Sequence, residues 1–383
     1  MKSICAVEGV SAGGVKERKY GLTLIRAEGK AAGVFTSNHV RAPCIDLMKK
    51  QITSGKLEAI IANSGCANAY TGRRGYEDAE WMSTLAGEVL GVDPGYVGVA
   101  STGVIGRYLD RSIIERQCRS LAPQLERSEI AEEQAAQAIM TTDLVQKHAL
   151  SERGRFRVGG ICKGSGMIAP RMGTMLAFLY TDADIDATIL REILRRVTRR
   201  TFNRVVVDGD MSTNDIALCT ATGESGKVNE STLESALEEC CRSLAQQIAA
   251  DGEGATKLIE VRVTGAPDEE SAAAIARAIV TSPLVKTAVY GEDPNWGRVV
   301  AAAGYAGVEF DPYRISLSIG EEEGKIPLVE EGSIVVDLPK AKLAMQGKKV
   351  VFQLGLQEGS GQATAWGCDL TEGYVHINGR YTT

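Results

Sequence analysis

Along this chain the apolar positions fall into short runs separated by glycine-rich turns, and these alternate with stretches whose apolar residues recur at helical spacing. The β-like runs are AAGVFTSN (31–38), LEAIIANSG (57–65), VGVASTGVIG (97–106), TMLAFLYTDA (174–183), RVVVDGD (204–210), KLIEVRVTG (257–265), YRISLSIG (313–320) and KKVVFQLGL (348–356). They are short, rich in β-branched residues and bounded by turn formers, as strands are. In 186–202, Ile189, Leu190, Ile193, Leu194 and Val197 mark one face and arginines the other, which predicts an amphipathic helix. A second helix is predicted over 231–250, with Leu233, Leu237, Leu244 and Ile248 as its stripe and Ser231-x-x-Glu234 as a capping box. Further helices are expected over 268–281, 76–90 and 110–140. Strands and helices mix without a regular βαβ period. The fold class is therefore α+β: layered, antiparallel-rich sheets covered by helices, rather than a doubly wound parallel sheet.

Length and composition narrow this picture. A chain of 383 residues is too long for one ordinary core and predicts two or three lobes. Apolar residues at 44% and charged residues at 24% are the balance of a soluble globular protein. The net charge of −6 excludes the broad basic surface that nucleic-acid binding needs. No apolar run approaches the roughly 18 residues of a membrane span, and the first residues lack the apolar core of a signal peptide. A cytoplasmic location is expected. The nine cysteines include no C-x-x-C pair and read as reduced thiols. The three histidines, His39, His148 and His376, have no ligand-like spacing, and no metal is expected.

The segment GGICKGSGMIAPRMGTMLAFLYTDA (159–183) carries the most chemistry. Taken alone, Thr174 is a β-former at the start of a strand. That is the ordinary reading of the residues; the alternative takes Gly173-Thr174 as a self-processing bond, since glycine opens conformations in which the Thr174 hydroxyl can reach the preceding carbonyl. Attack there shifts the acyl group from nitrogen to oxygen, and water then cleaves the ester. The product bears an N-terminal threonine. Its α-amine, with a reference pKa of about 7.7–8.0, serves as the base that activates its own hydroxyl. Such a nucleophile requires no histidine.

KGSGMIAPRMGTMLAF resembles the cleavage region of the ornithine acetyltransferase family, also called the arginine-biosynthesis bifunctional enzymes. ANSGCANAYTG (62–72), ASTGVIG (100–106), VVDGDMSTND (206–215), DGEGATK (251–257), GEDPNWGRVVAAAGYAG (291–307) and INGRYTT (377–383) resemble that family too, in its order. The likeness spans essentially the whole chain. It implies an N-terminal-nucleophile-like fold and two pieces, an α chain of residues 1–173 and a β chain of 174–383. It implies a glutamate N-acetyltransferase that moves acetyl from N2-acetylornithine to L-glutamate through an acetyl-Thr174 ester, with no cofactor and with acetyl-CoA as a further donor in some members. It further implies a heterotetramer of two α and two β chains.

The resemblance also assigns residues. Thr102 and Gly103 take the place of an oxyanion hole, where donors stabilise charge that develops in the transition state. Lys163, Glu253, Asn378 and Thr383 take substrate-binding places, with the Glu253 carboxylate suited to the side-chain ammonium of ornithine. In Thr141-Thr142-Asp143 one threonine touches substrate, with Thr142 preferred; the stretch from there to Lys163 is shorter than the family's usual one. Cys44 stands where the family more often has a small apolar residue, and is expected to be a buried thiol. Asp208, Asp210, Asn214 and Asp215 lack the spacing of a calcium loop and read as structural turn formers around the site. Trp296 is expected to pack in its loop. Two other classes remain open: an N-terminal-nucleophile aminopeptidase or amidase, and an uncut amino-acid-binding regulator.

Overall fold

The computed structural model describes residues 1–169 and 175–380. Among these the chain forms fifteen strands in two sheets. The strands are β1 (Ser11–Glu17), β2 (Tyr20–Phe35), β3 (Lys56–Cys66), β4 (Val97–Val104), β5 (Lys147–Arg153), β6 (Phe156–Lys163), β7 (Leu176–Thr181), β8 (Val205–Val206) and β9 (Ile216–Ala221). They continue with β10 (Leu258–Ala266), β11 (Ser316–Ile319), β12 (Ile326–Glu330), β13 (Ser333–Ile334), β14 (Lys349–Gly355) and β15 (Gly361–Cys368). The first sheet runs β4-β3-β2-β9-β7-β6-β5, with β1 folded back on β2 as a hairpin. The second runs β13-β12-β11-β14-β10-β15-β8. Most pairings are antiparallel; β3–β4, β7–β9, β10–β14 and β15–β8 are parallel. This is the layered α+β architecture expected.

The sequence of β7 shows why the first sheet is an inner layer. Leu176, Phe178 and Tyr180 enter a core shared with β2, β3 and the helices Pro43–Gln51 and Gly72–Leu90. Ala177 and Leu179 enter a second core, against the helices Ala187–Arg200 and Glu230–Ala250. A strand buried on both faces has no polar side to alternate with, hence its unbroken apolar run. A third core lies between the second sheet and the helix Glu269–Thr281, and Trp296, half-buried, packs against it as expected. Among the described residues no single helix is long and apolar enough to cross a membrane.

Several predicted elements differ in detail. The stretch 110–140 is two helices, Arg111–Leu121 and Glu129–Ile139. Pro123 follows the first and cannot donate to a continuing helix, and Ser128 recaps the second through the Ala131 N–H. The Ser231–Glu234 capping box does not form. Asn229 caps that helix by accepting from the N–H groups of Ser231 and Thr232, while Glu234 turns outward to Arg196 and Arg200. In 204–210 only Val205–Val206 pairs as strand, because Asp208 leaves to bind another loop.

Candidate active site

The end of β4 carries Thr102 and the half-buried Gly103. Thr102 is buried, and Gly103 has φ of 131°. A Cβ on Gly103 would lie 2.4 Å from the Gly65 carbonyl carbon and 2.5 Å from the Cys66 nitrogen on β3. Only glycine fits there. Lys163 ends β6 and is 3% exposed, so the usual reading of a lone lysine as solvated fails here. Its Nζ donates to Thr102 Oγ1 at 3.3 Å. That bond occupies an acceptor site of the hydroxyl and leaves its proton available for a developing oxyanion. Burial pushes the Lys163 ammonium below its ordinary pKa, against the pull of Asp143.

Beneath this pair lies a closed charge network. Lys147 Nζ, with a fully buried side chain, donates to Asp143 Oδ1 at 2.8 Å and Asp251 Oδ2 at 2.6 Å. Asp143 Oδ1 also accepts from the Gly164 N–H at 2.6 Å, and its Oδ2 from the Thr141 N–H at 3.0 Å. Asp251 accepts from the N–H groups of Leu144 and Val145. Burial alone would raise Asp143, but Lys163, Lys147 and the Gly164 amide outweigh it and hold the carboxyl down at about 2. Three loops with assigned residues, those holding Thr141-Thr142, Lys163 and Glu253, are thus tied to one buried cation. Sequence reasoning named Asp143 only within its motif and missed Lys147 and Asp251 as a pair. No periodicity marks Lys147, whose second partner lies 104 positions away.

The third of these loops presents Glu253. Its N–H donates to the Ser165 carbonyl at 3.0 Å, while Ser165 Oγ donates to the Asp251 carbonyl at 2.6 Å. On the other side, Asn378 Nδ2 in the helix Glu372–Arg380 donates to Glu253 Oε2 at 2.8 Å. The structure therefore connects Thr102, Lys163, Glu253 and Asn378. Thr141 and Thr142 are both half-buried beside Asp143, and neither is singled out by geometry. Gly173, Thr174 and Thr383 lie outside the described residues.

The segment VVDGDMSTND wraps this arrangement. Asp208 accepts from the N–H groups of Met167 at 2.6 Å and Ile168 at 2.9 Å. Met167 has φ of 58°, uncommon for a residue with a side chain. Asn214 Nδ2 donates to the carbonyls of Ala67 at 2.7 Å and Ser101 at 2.8 Å. Asp215 accepts the Met175 N–H on Oδ1 at 2.9 Å, and its other oxygen is buried without a hydrogen-bond partner among the described residues. Burial raises the Asp215 carboxyl well above its ordinary value, the Met175 amide and Lys163 offsetting only part. The expectation of a structural loop around the site holds.

All nine cysteines are buried and unbridged. Burial lifts Cys44 to about 12, which leaves it almost without thiolate. Among the described residues no group of three or more His, Cys, Asp or Glu is placed to hold a metal ion.

A hydroxyl and a glycine amide beside a buried cation, with a carboxylate reachable from the same loops, can serve acyl transfer. The sequence matches the ArgJ family over residues 6–383. It is 50% identical to a glutamate N-acetyltransferase of Methanosarcina mazei, over 99% of this chain and 98% of the relative. It is 45% identical to the arginine biosynthesis bifunctional protein ArgJ of Archaeoglobus fulgidus, over 99% of this chain and all of the relative (100%). The crystal structure of the argJ protein of Bacillus halodurans is 42% identical, covers 53% of this chain and 98% of its own, and superimposes with a TM-score of 0.51. The protein is an enzyme of the acyltransferase class. It belongs to the ArgJ family.

Proposed function

We propose that this protein is a glutamate N-acetyltransferase of arginine biosynthesis, working by double displacement on a threonine it exposes by cutting itself. The observation that carries the reading is the full-length match to a relative of that name, at 50% identity. It favours transfer over the hydrolytic alternative. The Thr102–Lys163 pair, the shape demanded at Gly103 and the Glu253–Asn378 contact support the residue roles.

The chain divides at Gly173-Thr174 into pieces 1–173 and 174–383. The neutral α-amine of Thr174 takes the proton from Oγ as Oγ bonds to the acetyl carbon of N2-acetylornithine. Thr102 Oγ1–H and the Gly103 N–H receive the oxyanion. The carbon–nitrogen bond breaks, and the ornithine nitrogen leaves with the proton held by the Thr174 amine. Glutamate's amine then attacks the ester and restores the hydroxyl. The acyl group stays activated throughout, so no cofactor enters. Lys163, Glu253, Asn378, Thr383 and one threonine of the Thr141-Thr142 pair, Thr142 preferred, bind substrate. Lys163 also opposes protonation of the Thr174 amine by like-charge repulsion; a pH–rate profile unmoved in Lys163→Met removes that role. The two pieces assemble as two α and two β chains.

A denaturing gel with mass spectrometry tests the cut: fragments of 173 and 210 (383 − 173) residues are expected, and Thr174→Ala stays whole. Initial rates should give the parallel double-reciprocal lines of a ping-pong cycle; intersecting lines overturn it. Acetate release outrunning N-acetylglutamate formation would move the enzyme to the hydrolases. Assays with acetylornithine and acetyl-CoA as separate donors decide whether it takes one donor or two.

A further inference from the structure

We propose that Asp208 and Asp215 form a clamp on the backbone either side of the Gly173-Thr174 link, with Asp215 the positioning residue for self-cleavage. The inference rests on Thr174 being the self-cleaving residue. In that step Thr174 Oγ bonds to the Gly173 carbonyl carbon, the carbon–nitrogen bond breaks, and the hydroxyl proton ends on the Thr174 nitrogen. Water then opens the ester, leaving the Gly173 carboxylate. The reaction needs no outside reagent but water. What it needs is geometry.

Three observations bear on the backbone to either side of the link, and all three fall in one short segment. Asp208 takes the Met167 and Ile168 N–H groups upstream of the link. Asp215 takes the Met175 N–H immediately downstream of Thr174. Asn214, the residue before Asp215, grips the Ser101 carbonyl, one residue from Thr102. Two consecutive side chains therefore act as a ruler, one holding the strand with the oxyanion pair and the other the residue next to the nucleophile.

The burial of Asp215 also points to a task. A fully buried carboxyl is costly, and an apolar residue of similar size would suit the surrounding core better. What the apolar residue lacks is an acceptor for Met175. Without that acceptor Met175 is held only through its carbonyl, which takes the Ile216 N–H at 3.1 Å, so the amide that joins it to Thr174 loses its anchor, and a misplacement of about 1 Å at a reacting centre slows a reaction about 100-fold.

The test follows precursor turning into fragments during pulse-labelled cell-free synthesis, with thermal melting of each purified protein. Asp215→Asn keeps an oxygen that accepts the same N–H and should process at the wild-type rate. Asp215→Leu removes the acceptor while filling the space, and should process about 100-fold more slowly. An Asp215→Leu protein that melts like wild type and cleaves as fast overturns the clamp. So does Asp215→Asn as slow as Asp215→Leu, which would assign the work to the carboxyl proton instead. If Asp215→Leu does not fold, Asp215→Ala carries the same two readings. An uncut wild type, or cleavage in Thr174→Ala, defeats the self-cleavage reading itself and is thereby distinguished from failure of the clamp.

Discussion

Two clusters of opposite charges, one under the candidate site and one on the second sheet, use similar residues to different ends. In the first, Lys147 is sealed between Asp143 and Asp251, with side-chain exposures of 0%, 0% and 5%. In the second, Glu260 is buried but its partners Arg262 and Lys349 are 27% and 36% exposed, and both reach on to Glu321, itself 52% exposed. Water can replace a partner in the second cluster. It cannot in the first, where each missing contact leaves a charge in a medium that solvates it poorly. Buried ions of this kind fix loop positions, and those on the second sheet mostly dress a surface.

The sharpest break in this contrast is Lys147→Met. It should cost about 3–5 kcal/mol in urea unfolding, because two carboxylates lose their shared cation. A loss no larger than that of a surface pair would erase the distinction. Thr102→Val asks whether the rigid region serves the reaction as well as the fold. Losing one oxyanion donor should add about 2.7–4 kcal/mol to the barrier, read as a fall in kcat with KM nearly unchanged.

Acid provides a third probe. Asp143 is held at about 2, below the ordinary 3.8, so its stabilisation is complete above 3.8 and disappears as pH falls through 2. At about 1.4 kcal/mol per unit it contributes on the order of 2 kcal/mol, and Asp143→Asn should flatten stability against pH in that window. Asp215 runs the other way. Its raised folded pKa makes the fold lose stability as pH climbs above 3.8, so Asp215→Asn should be more stable than wild type at neutral pH and equal to it in strong acid. The smallest effect belongs to Glu321→Gln, about 0–1 kcal/mol and screened by salt.

Much of this was readable from residues alone. β3, β7, β10 and β14 announce themselves because β-branched, apolar runs end at turn formers. β1 does not. Gly13 and Gly14 dilute its pattern, and the reason lies elsewhere in the chain. A Cβ on Gly14 would sit 2.1 Å from the Gln134 carbonyl oxygen, so the helix Glu129–Ile139 rests directly on that strand. The resemblance to the family supplied Thr102, Lys163 and Glu253, which the fold links. It did not supply Lys147, Asp251 or the separate duties of Asn214 and Asp215, because those depend on partners brought together only by folding. Pro123 stood in plain view, and its break was hidden by the helical spacing on either side.

The order of strands in the first sheet has one more consequence. β7 and β9 come after the proposed cut, yet they sit between β2 and β6, which come before it. Severing the link would divide the polypeptide without dividing the sheet: the later piece is threaded through the earlier one and held along both edges by backbone hydrogen bonds. Each α–β pair would be two molecules by covalent count and one by unfolding, melting in a single transition, and neither piece could be exchanged without dismantling its partner.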